Sequence, residues 1–331
     1  MVRLDSVKIL LPNECLNWVS DRGIIETNKR GGNGDVIKDK TSFTHTGVRG
    51  LKNIHIDRMR HTTTIEMSSK ILEGNYIEGI NKNTITEAIE KINCTNLVRL
   101  DLNRVLDNGS FLKIDITDNI KLDNQKKGQL LYRTLANIPL AQKYHTDFWN
   151  HNSNLGVVWK GNQKTKKDRF VCYDKSIELR KDKSLKKTDY QNKVLTDFLG
   201  VNRFEQNITS LKDIRHYYQN SGITEVLNST TKANYLKFTK MVNRNTDIDL
   251  RLFGYFEGMK FFEIRSFMGD KGICEMFQFD WHSIEKFVRT HNESNYRRFL
   301  PSLKKVYNML NVENKASDFD LIEEIKQKLY A

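Results

Sequence analysis

The chain has few cysteines and prolines and lacks any long apolar run. Its four cysteines are far apart and form no CxxC pair, which argues against a zinc site or a disulfide framework and favours a reducing cytoplasm. Only three prolines occur and no long Gly/Ser linker is visible, so we expect a compact protein without a flexible hinge. No apolar run approaches the ~18 residues that span a bilayer, and the start lacks the pattern of a signal peptide.

Histidine spacing gives no sign of a histidine-ligated metal site. The chain has eight histidines but no HxH motif. His145 and His151 are six residues apart, a spacing that fits neither a helix face nor a strand face. We therefore expect carboxylates to hold any metal that binds. The glycine-rich run GGNGD (31–35) is interpreted as a turn, because no Gly-Lys-Ser/Thr follows at the spacing of a phosphate-binding loop.

Positive charge is abundant and clustered. The formal net charge is +13, and residues 160–193 contain twelve Lys or Arg against five Asp or Glu. A basic surface of this kind raises the local concentration of a polyanion, which favours nucleic acid as a partner. The alternative to a nucleic-acid partner is that the basic residues simply form a solvated, soluble face. A membrane surface is disfavoured because the basic residues do not lie opposite an apolar helical face.

Hydrophobic patterning predicts an α+β protein, in which an antiparallel sheet with flanking helices is followed by a mostly helical C-terminal part. Alternation predicts strands at 6–12, 51–58, 61–69, 97–105, 111–116, 168–179 and 201–208. Helical periodicity predicts helices at 84–95 and 188–200 and dominates from about residue 210. We therefore expect two domains, 1–209 and 210–331.

Residues 168–179 contain the side chains that most strongly suggest a catalytic site. If this stretch is a strand, Tyr173 and Lys175 share one face. A phenol has a pKa near 10 and needs a neighbouring cation or metal to become a useful nucleophile. Lys175 could supply that cation, so Tyr173 is a candidate nucleophile. The alternative is that Tyr173 is simply a packed core residue.

Two predicted strands repeat one arrangement of charge. Arg99 and Asp101, like Arg203 and Glu205, place an arginine and an acid two residues apart on one face. A sheet carrying both strands, together with Glu178, would gather carboxylates that repel one another unless they are paired or bound to a cation. Either the arginines neutralise the acids in a structural network, or oxygen ligands hold a divalent metal.

Four short segments, in order, resemble the gene II/X replication initiators of filamentous phages and, more loosely, the rolling-circle initiators of small plasmids. They are IEMSSKILEGN (65–75), VRLDLN (98–103), RFVCYDKSIEL (169–179) and NRFEQNI (202–208). The N-terminal LDSVKILLP also fits the pattern. The resemblance covers roughly residues 1–210.

The resemblance implies an enzyme that nicks one DNA strand at a replication origin and later rejoins it through a covalent 5′-phosphotyrosine. It implies that Tyr173 is the covalent residue, assisted by Lys175, with Tyr144 and Tyr190 as the next candidates. It further implies a divalent metal, Mg²⁺ or Mn²⁺, that polarises the scissile phosphate. Its expected ligands are Asp101, Glu178 and Glu205.

The resemblance also implies partners. We expect origin DNA, single-stranded or supercoiled, with a host helicase and polymerase, in the cytoplasm of the host cell and without a membrane. The candidate DNA contacts are Arg99, Lys167, Arg169 and Arg203. The 210–331 part is expected to bind DNA or to support the catalytic part, and 250–279 is either a helix-turn-helix or ordinary packed helices.

Two other functions fit the same residues. In the first, the protein binds the origin without catalysis and the acids form an arginine-paired core. In the second, a metal-dependent nuclease uses water, and therefore nicks DNA without leaving protein on the 5′ end.

Overall fold

The structure is a computed structural model that describes most of the chain. The described residues are 1–29, 36–44, 46–122, 131–132, 134–136, 138, 140–141, 143–149, 155–161, 169–242, 260–277, 281–291, 296–311 and 318–331. Two compact units are present, one formed by Met1–Thr246 with Glu324–Ala331 and the other by Asp247–Glu323. No helix within the described ranges is long and apolar enough to cross a bilayer.

Twelve strands lie in the described part of the first unit. They are β1 (Leu4–Pro12), β2 (Leu16–Val19), β3 (Ile24–Lys29), β4 (Val36–Phe43), β5 (Leu51–Asp57), β6 (Thr62–Ser68), β7 (Val98–Leu100), β8 (Ser110–Lys121), β9 (Tyr144–Phe148), β10 (Gly156–Gly161), β11 (Arg169–Asp174) and β12 (Val201–Ile208). Ten of them form one antiparallel sheet in the order β3-β4-β5-β6-β1-β8-β12-β11-β10-β9, and β2 pairs with β7 in a separate two-stranded sheet.

The described helices lie in both units. They are α1 (Ile85–Asn93), α2 (Leu102–Asn108), α3 (Lys175–Lys181), α4 (Gln191–Asp197), α5 (Leu211–Tyr218), α6 (Ile223–Asn228), α7 (Ala233–Met241), α8 (Phe261–Met276), α9 (Trp281–His291), α10 (Tyr296–Asn311) and α11 (Asp318–Tyr330). Sheet and helices together confirm the predicted α+β class.

The large sheet repeats one topology on either side of its centre. The centre is the antiparallel pair β1 and β8. Outward from β1 the strands are β6, β5, β4 and β3, and outward from β8 they are β12, β11, β10 and β9. Each half therefore begins at the centre, continues at the far edge and returns strand by strand.

One face of the sheet is apolar and covered by helices. The alternating residues Val7, Ile9 and Leu11 of β1 are buried against this layer. The stripe Ile85, Ala88, Ile89 and Ile92 of α1, which the sequence pattern predicts, is buried in the same core. Helices α5 and α6 contribute to that core, and in α7 the ring of Phe238 packs against those of Trp159, Phe170 and Phe204.

The opposite face carries polar side chains. In β12, Arg203 and Glu205 alternate with the core residues Phe204 and Ile208, and they therefore point to this polar face. One end of it is covered by the segment between β11 and β12, which contains α3 and α4. A small second core there includes Tyr76, Leu179, Val194 and Phe198.

The second unit has its own apolar core. Helices α8, α9 and α10 contribute buried side chains to it. They are Phe267, Cys274, Ile284, Val288, Leu303 and Val306. The division of the chain falls at Asp247 and not near residue 210, because α5, α6 and α7 pack on the sheet of the first unit. The expected 1–209 and 210–331 boundary is therefore wrong.

Two predicted strands are shorter than expected because an aspartate ends each of them. After β7, the Asp101 side chain accepts a hydrogen bond from the Arg104 backbone N–H and caps α2. After β11, the Asp174 side chain accepts from the Ser176 and Ile177 backbone N–H groups and caps α3. An aspartate in this position satisfies backbone donors that have no partner within the helix.

Candidate active site

The candidate site lies on the polar face, where the ends of β11 and β12 are covered. Tyr173 on β11 lies directly opposite Arg203 on β12 in the sheet register. The chain turns into α3 just after Tyr173, so that Lys175 is the first helical residue. The expectation that both lie on one strand face is therefore wrong, yet their side chains do meet. They are 2% and 1% exposed, respectively.

A chain of hydrogen bonds links Tyr173 to two acids. Lys175 Nζ donates to the Tyr173 hydroxyl at 3.2 Å, and that hydroxyl donates to Glu205 Oε2 at 3.1 Å. Lys175 Nζ also contacts Glu178 Oε2 at 2.5 Å. The hydroxyl thus lies between an ammonium donor and a carboxylate acceptor. This arrangement can remove its proton and stabilise the resulting phenolate.

Arg203 is the second buried cation of the cluster. It has no exposed surface, and it donates from Nη1 to Asp5 Oδ1 at 2.6 Å and from Nε to Asn119 Oδ1 at 2.9 Å. Its guanidinium lies between the rings of Tyr76 and Phe198, at 5.5 and 5.1 Å from their centroids. Because the side chain is enclosed, the predicted contact between Arg203 and DNA is wrong. Arg203 instead supports the site through its hydrogen bonds to Asp5 and Asn119.

Tyr76 compensates part of the cost of burying these cations. Its ring centroid lies 5.4 Å from Lys175 Nζ and 5.7 Å from Arg49 Cζ, in addition to Arg203. A cation over an aromatic face is attracted by the ring quadrupole, more strongly when water is excluded. The Tyr76 hydroxyl is buried and has no hydrogen-bond partner among the described residues.

Burial dominates the acid–base properties of Tyr173 and Glu205. Burial raises the pKa of Tyr173 well above its usual value, against the opposing effect of Lys175. Burial, followed by the negative charge of Asp5, raises the pKa of Glu205 to about 7. Glu205 is thus tuned to gain and lose a proton near neutral pH, which is the range in which a general base is most effective.

The charges of Lys175 and Asp5 are fixed by their surroundings. Burial alone would lower the pKa of Lys175, but Tyr76, Tyr173 and Asp5 oppose it, and the pKa is well above its usual value. Burial alone would raise the pKa of Asp5, but Arg203 and Lys175 oppose it, and the pKa is well below its usual value. Lys175 therefore stays an ammonium and Asp5 a carboxylate.

Two further residues shape the space around the phenol. The Trp149 ring stacks on Tyr173 with centroids 4.4 Å apart and planes 10° apart. Gly156 lies opposite Tyr173 on β10 with φ +150°, and a Cβ there would come within 2.7 Å of the Tyr173 Cα. The Trp149 ring therefore covers one face of the Tyr173 ring.

The three predicted metal ligands do not converge. Asp101 caps α2 at the end of β7, which belongs to the small sheet and not to the sheet that carries Glu205. Glu178 is paired with Lys175, and Glu205 accepts from Tyr173. No group of three His, Cys, Asp or Glu side chains among the described residues could hold a metal ion. Lys175 lies between Tyr173 and Glu178 as a built-in cation, and the divalent metal stays a prediction.

The other predicted DNA contacts are dispersed. Arg99 is exposed on β7, next to Trp18 of β2. Arg169 begins β11 opposite Lys160, on the same face as Tyr173. Lys167 lies outside the described residues. Residues 250–259 and 278–279 also lie outside them, so the helix-turn-helix stays a prediction.

The alternative tyrosines lie elsewhere. Tyr144 is on β9 and its hydroxyl is 3.3 Å from Lys237 Nζ in α7, on the helix-covered face of the sheet. Tyr190 precedes α4 and packs at the edge of the small core around Phe198. Of the three candidates, Tyr173 is the one that lies beside both predicted site residues Lys175 and Glu205.

Sequence reasoning missed Asp5, Tyr76 and Trp149. Asp5 had a visible signal, because it is a lone acid within the apolar run that becomes β1. No sequence signal indicated Tyr76 or Trp149, because both act through ring contacts with residues far away in sequence. Comparison with protein-family models, curated proteins and solved structures gives no match.

Proposed function

We propose that this protein nicks and rejoins one strand of a replicon DNA, with Tyr173 as the residue that becomes covalently attached to the 5′ end. The observation that carries the proposal is the position of the Tyr173 hydroxyl, 3.2 Å from the Lys175 ammonium and 3.1 Å from the Glu205 carboxylate. A nucleophilic oxygen held between a cation and a base is a recurrent arrangement in covalent catalysis.

The proposed step is a transesterification. Glu205 takes the phenol proton, and the phenolate, stabilised by Lys175, attacks the scissile phosphorus. The new bond joins the tyrosine oxygen to phosphorus, while the bond from phosphorus to the 3′ oxygen breaks. That oxygen leaves with the electron pair and takes a proton from solvent. Rejoining is the reverse reaction, so the energy of the phosphodiester is kept in the phosphotyrosine.

The charge around the site supports DNA as the substrate. The helix that follows Tyr173 carries Arg180 and Lys181 in its last turn, and Lys186 and Lys187 follow nearby, all four exposed. Exposed cations near a reacting phosphate attract and position a DNA backbone. In this proposal the protein acts on origin DNA in the cytoplasm of the host cell, where a host helicase and polymerase extend the nicked strand.

Metal dependence remains a separate prediction. The step above uses only side chains of the cluster. Nicking assays with Mg²⁺, with Mn²⁺ and with a chelator test the prediction directly. Loss of nicking in the chelator would mean that a metal enters with the DNA phosphate, as Mg²⁺ often does.

A gel of supercoiled plasmid that carries the origin of this replicon tests the proposal. Wild-type protein should convert the plasmid to a nicked form that keeps protein attached, so that its mobility changes on protease treatment. Mass spectrometry of the digested adduct should locate the DNA on Tyr173. Tyr173→Phe should abolish the adduct, whereas Tyr144→Phe and Tyr190→Phe should retain it. An adduct on another tyrosine refutes the assignment.

Origin binding without catalysis is the second candidate function. The observation in its favour is that only 2% of Tyr173 is exposed, and that the charges around it are paired within the protein. This candidate predicts retention of origin DNA without any nick, under every metal condition. The third possibility, hydrolysis by water, would give a nick whose mobility does not depend on protease.

A further inference from the structure

A basic pocket lies on the helix-covered face of the sheet, apart from the cluster around Tyr173. Its wall is formed by β9, the end of β12, α5 and α7, and its volume is about 290 Å³. Glu205 of the Tyr173 cluster and Gln206 of the pocket are neighbours on β12. Their side chains therefore point to opposite faces of the sheet. The proposed nicking chemistry does not use this pocket.

The lining of the pocket is strongly cationic. Four lysines contribute to it, and Asp213 is the one carboxylate among its lining residues, all of which are described. The lysines are Lys143, Lys212, Lys237 and Lys240. The Asp213 carboxylate accepts a hydrogen bond from the Ser210 hydroxyl at 2.7 Å, within the cap of α5. The excess of positive charge selects an anionic ligand.

One of these lysines is built into the pocket. Lys237 is only 4% exposed, and its ammonium lies 3.3 Å from the Tyr144 hydroxyl and 5.0 Å from the centroid of the Tyr144 ring. Lysine is among the least frequently buried residue types, because its charge loses hydration. An ammonium held at the wall of a cavity, with three exposed lysines at the rim, is a suitable point charge for a phosphate.

Polar and aromatic groups line the rest of the pocket. The Gln206 side chain is 3% exposed and donates from Nε2 to the Tyr217 hydroxyl at 3.0 Å. Its Oε1 is buried and has no hydrogen-bond partner among the described residues, so an acceptor is left for a ligand donor. The rings of His216 and Tyr217 stand edge to face at 5.4 Å and offer aromatic surface to a planar group.

We propose that this pocket binds a nucleotide, with its phosphate on the lysines and its base near His216, Tyr217 and Gln206. Each group of the ligand has a counterpart in the wall: an anion for the lysines, a planar ring for the aromatic side chains, and an N–H or O–H donor for Gln206 Oε1. The nucleotide is either free or the 5′-phosphorylated end of a DNA strand, since both present the same chemistry.

Isothermal titration calorimetry of the full-length protein with thymidine 5′-monophosphate tests the proposal. The nucleotide should bind more tightly than thymidine or inorganic phosphate, because neither of these fills both parts of the pocket. The variant Lys212→Ala/Lys240→Ala should bind it about tenfold more weakly or worse, as expected when charge-assisted hydrogen bonds are lost. Lys286→Ala/Lys305→Ala, which removes the same charge from exposed sites elsewhere, should bind as the wild type does.

Three results would overturn the proposal. They are the absence of saturable nucleotide binding, equal weakening by both double variants, and equal affinity for the nucleotide and inorganic phosphate, which would identify a simple anion site. A short oligonucleotide with and without a 5′-phosphate then identifies the source. Tighter binding of the phosphorylated form indicates a strand end, and equal binding indicates a free nucleotide. Adduct formation by Tyr173 is not involved in any of these measurements.

Discussion

Replacing Asp5 by Asn should destabilise the first unit strongly, because it removes the counter-charge of a fully buried guanidinium. Asp5 Oδ1 accepts from Arg203 Nη1 at 2.6 Å and from the Ser69 hydroxyl at 2.8 Å. The Arg203 side chain has no exposed surface and cannot turn to water. Breaking a buried ion pair from one side costs about 3–5 kcal/mol. Because Asn keeps a neutral acceptor at this position, we expect a loss of stability near the lower end of this range.

Thermal unfolding followed by circular dichroism measures this loss. At roughly 2–4 °C for each kcal/mol, a loss of 3 kcal/mol lowers the melting temperature by roughly 6–12 °C. The matched control is Asp101→Asn, which removes one carboxylate from a helix cap that Asn fills nearly as well, at a cost of a few tenths of a kcal/mol. Equal melting temperatures for the two variants would refute the reasoning.

The pH dependence and a double variant sharpen the test. The pKa of Asp5 is well below its usual value, so its contribution to stability is present above pH ~4 and is lost as the pH falls towards the folded-state pKa. The gap between wild type and Asp5→Asn should therefore narrow below pH ~4. Adding Arg203→Met to Asp5→Asn should recover part of the stability, because no unpaired charge then remains buried.

Three further predictions concern the residues around Tyr173. Lys175→Met should reduce the rate of adduct formation by at least about 10²-fold, measured by gel under single-turnover conditions, since electrostatic stabilisation of the nucleophile is lost. Because Glu205 must be ionised to accept the phenol proton, that rate should rise with pH through about 7, and Glu205→Gln should remove the dependence. Gly156→Ala should lower the melting temperature more than Gly200→Ala; both have positive φ, but a Cβ at Gly156 meets backbone and at Gly200 meets open space.

Local pattern was enough to predict much of the fold. The strands at 6–12 and 51–58 and the helix at 84–95 are found close to the predicted bounds, because each has one buried face that leaves a regular apolar period. The strand at 201–208 is also found, although residues on both of its faces are buried. Strands β3 and β4 were missed. β3 is the edge strand of the sheet, and its Ile24 and Ile25 are 57% and 60% exposed, so burial imposes no alternation on that strand.

The candidate site could be predicted only in part, because its residues are distant in sequence. Tyr173, Lys175 and Glu178 fall within six residues, so a local reading finds them. The prediction that Lys175 shares a strand face with Tyr173 was wrong, because the helix cap formed by Asp174 was not recognised. Glu205 was found from the arginine–acid pair that it forms with Arg203, a pattern repeated at Arg99 and Asp101. Asp5 contacts a residue 198 positions away, and no local pattern indicates which distant strands become neighbours.

The repeated topology of the sheet explains why the site forms where it does. The first half returns from β5 to β6 through the short turn 58–61, whereas the second half returns from β11 to β12 through residues 175–200. This longer connection supplies Lys175, Glu178 and Phe198, and it folds over the polar face. The first half supplies Asp5 from the central strand β1 and Tyr76 from the segment that follows β6. A scaffold with two similar halves thus carries a single charged cluster, and that cluster requires both halves because each cation in it depends on a partner from the other half.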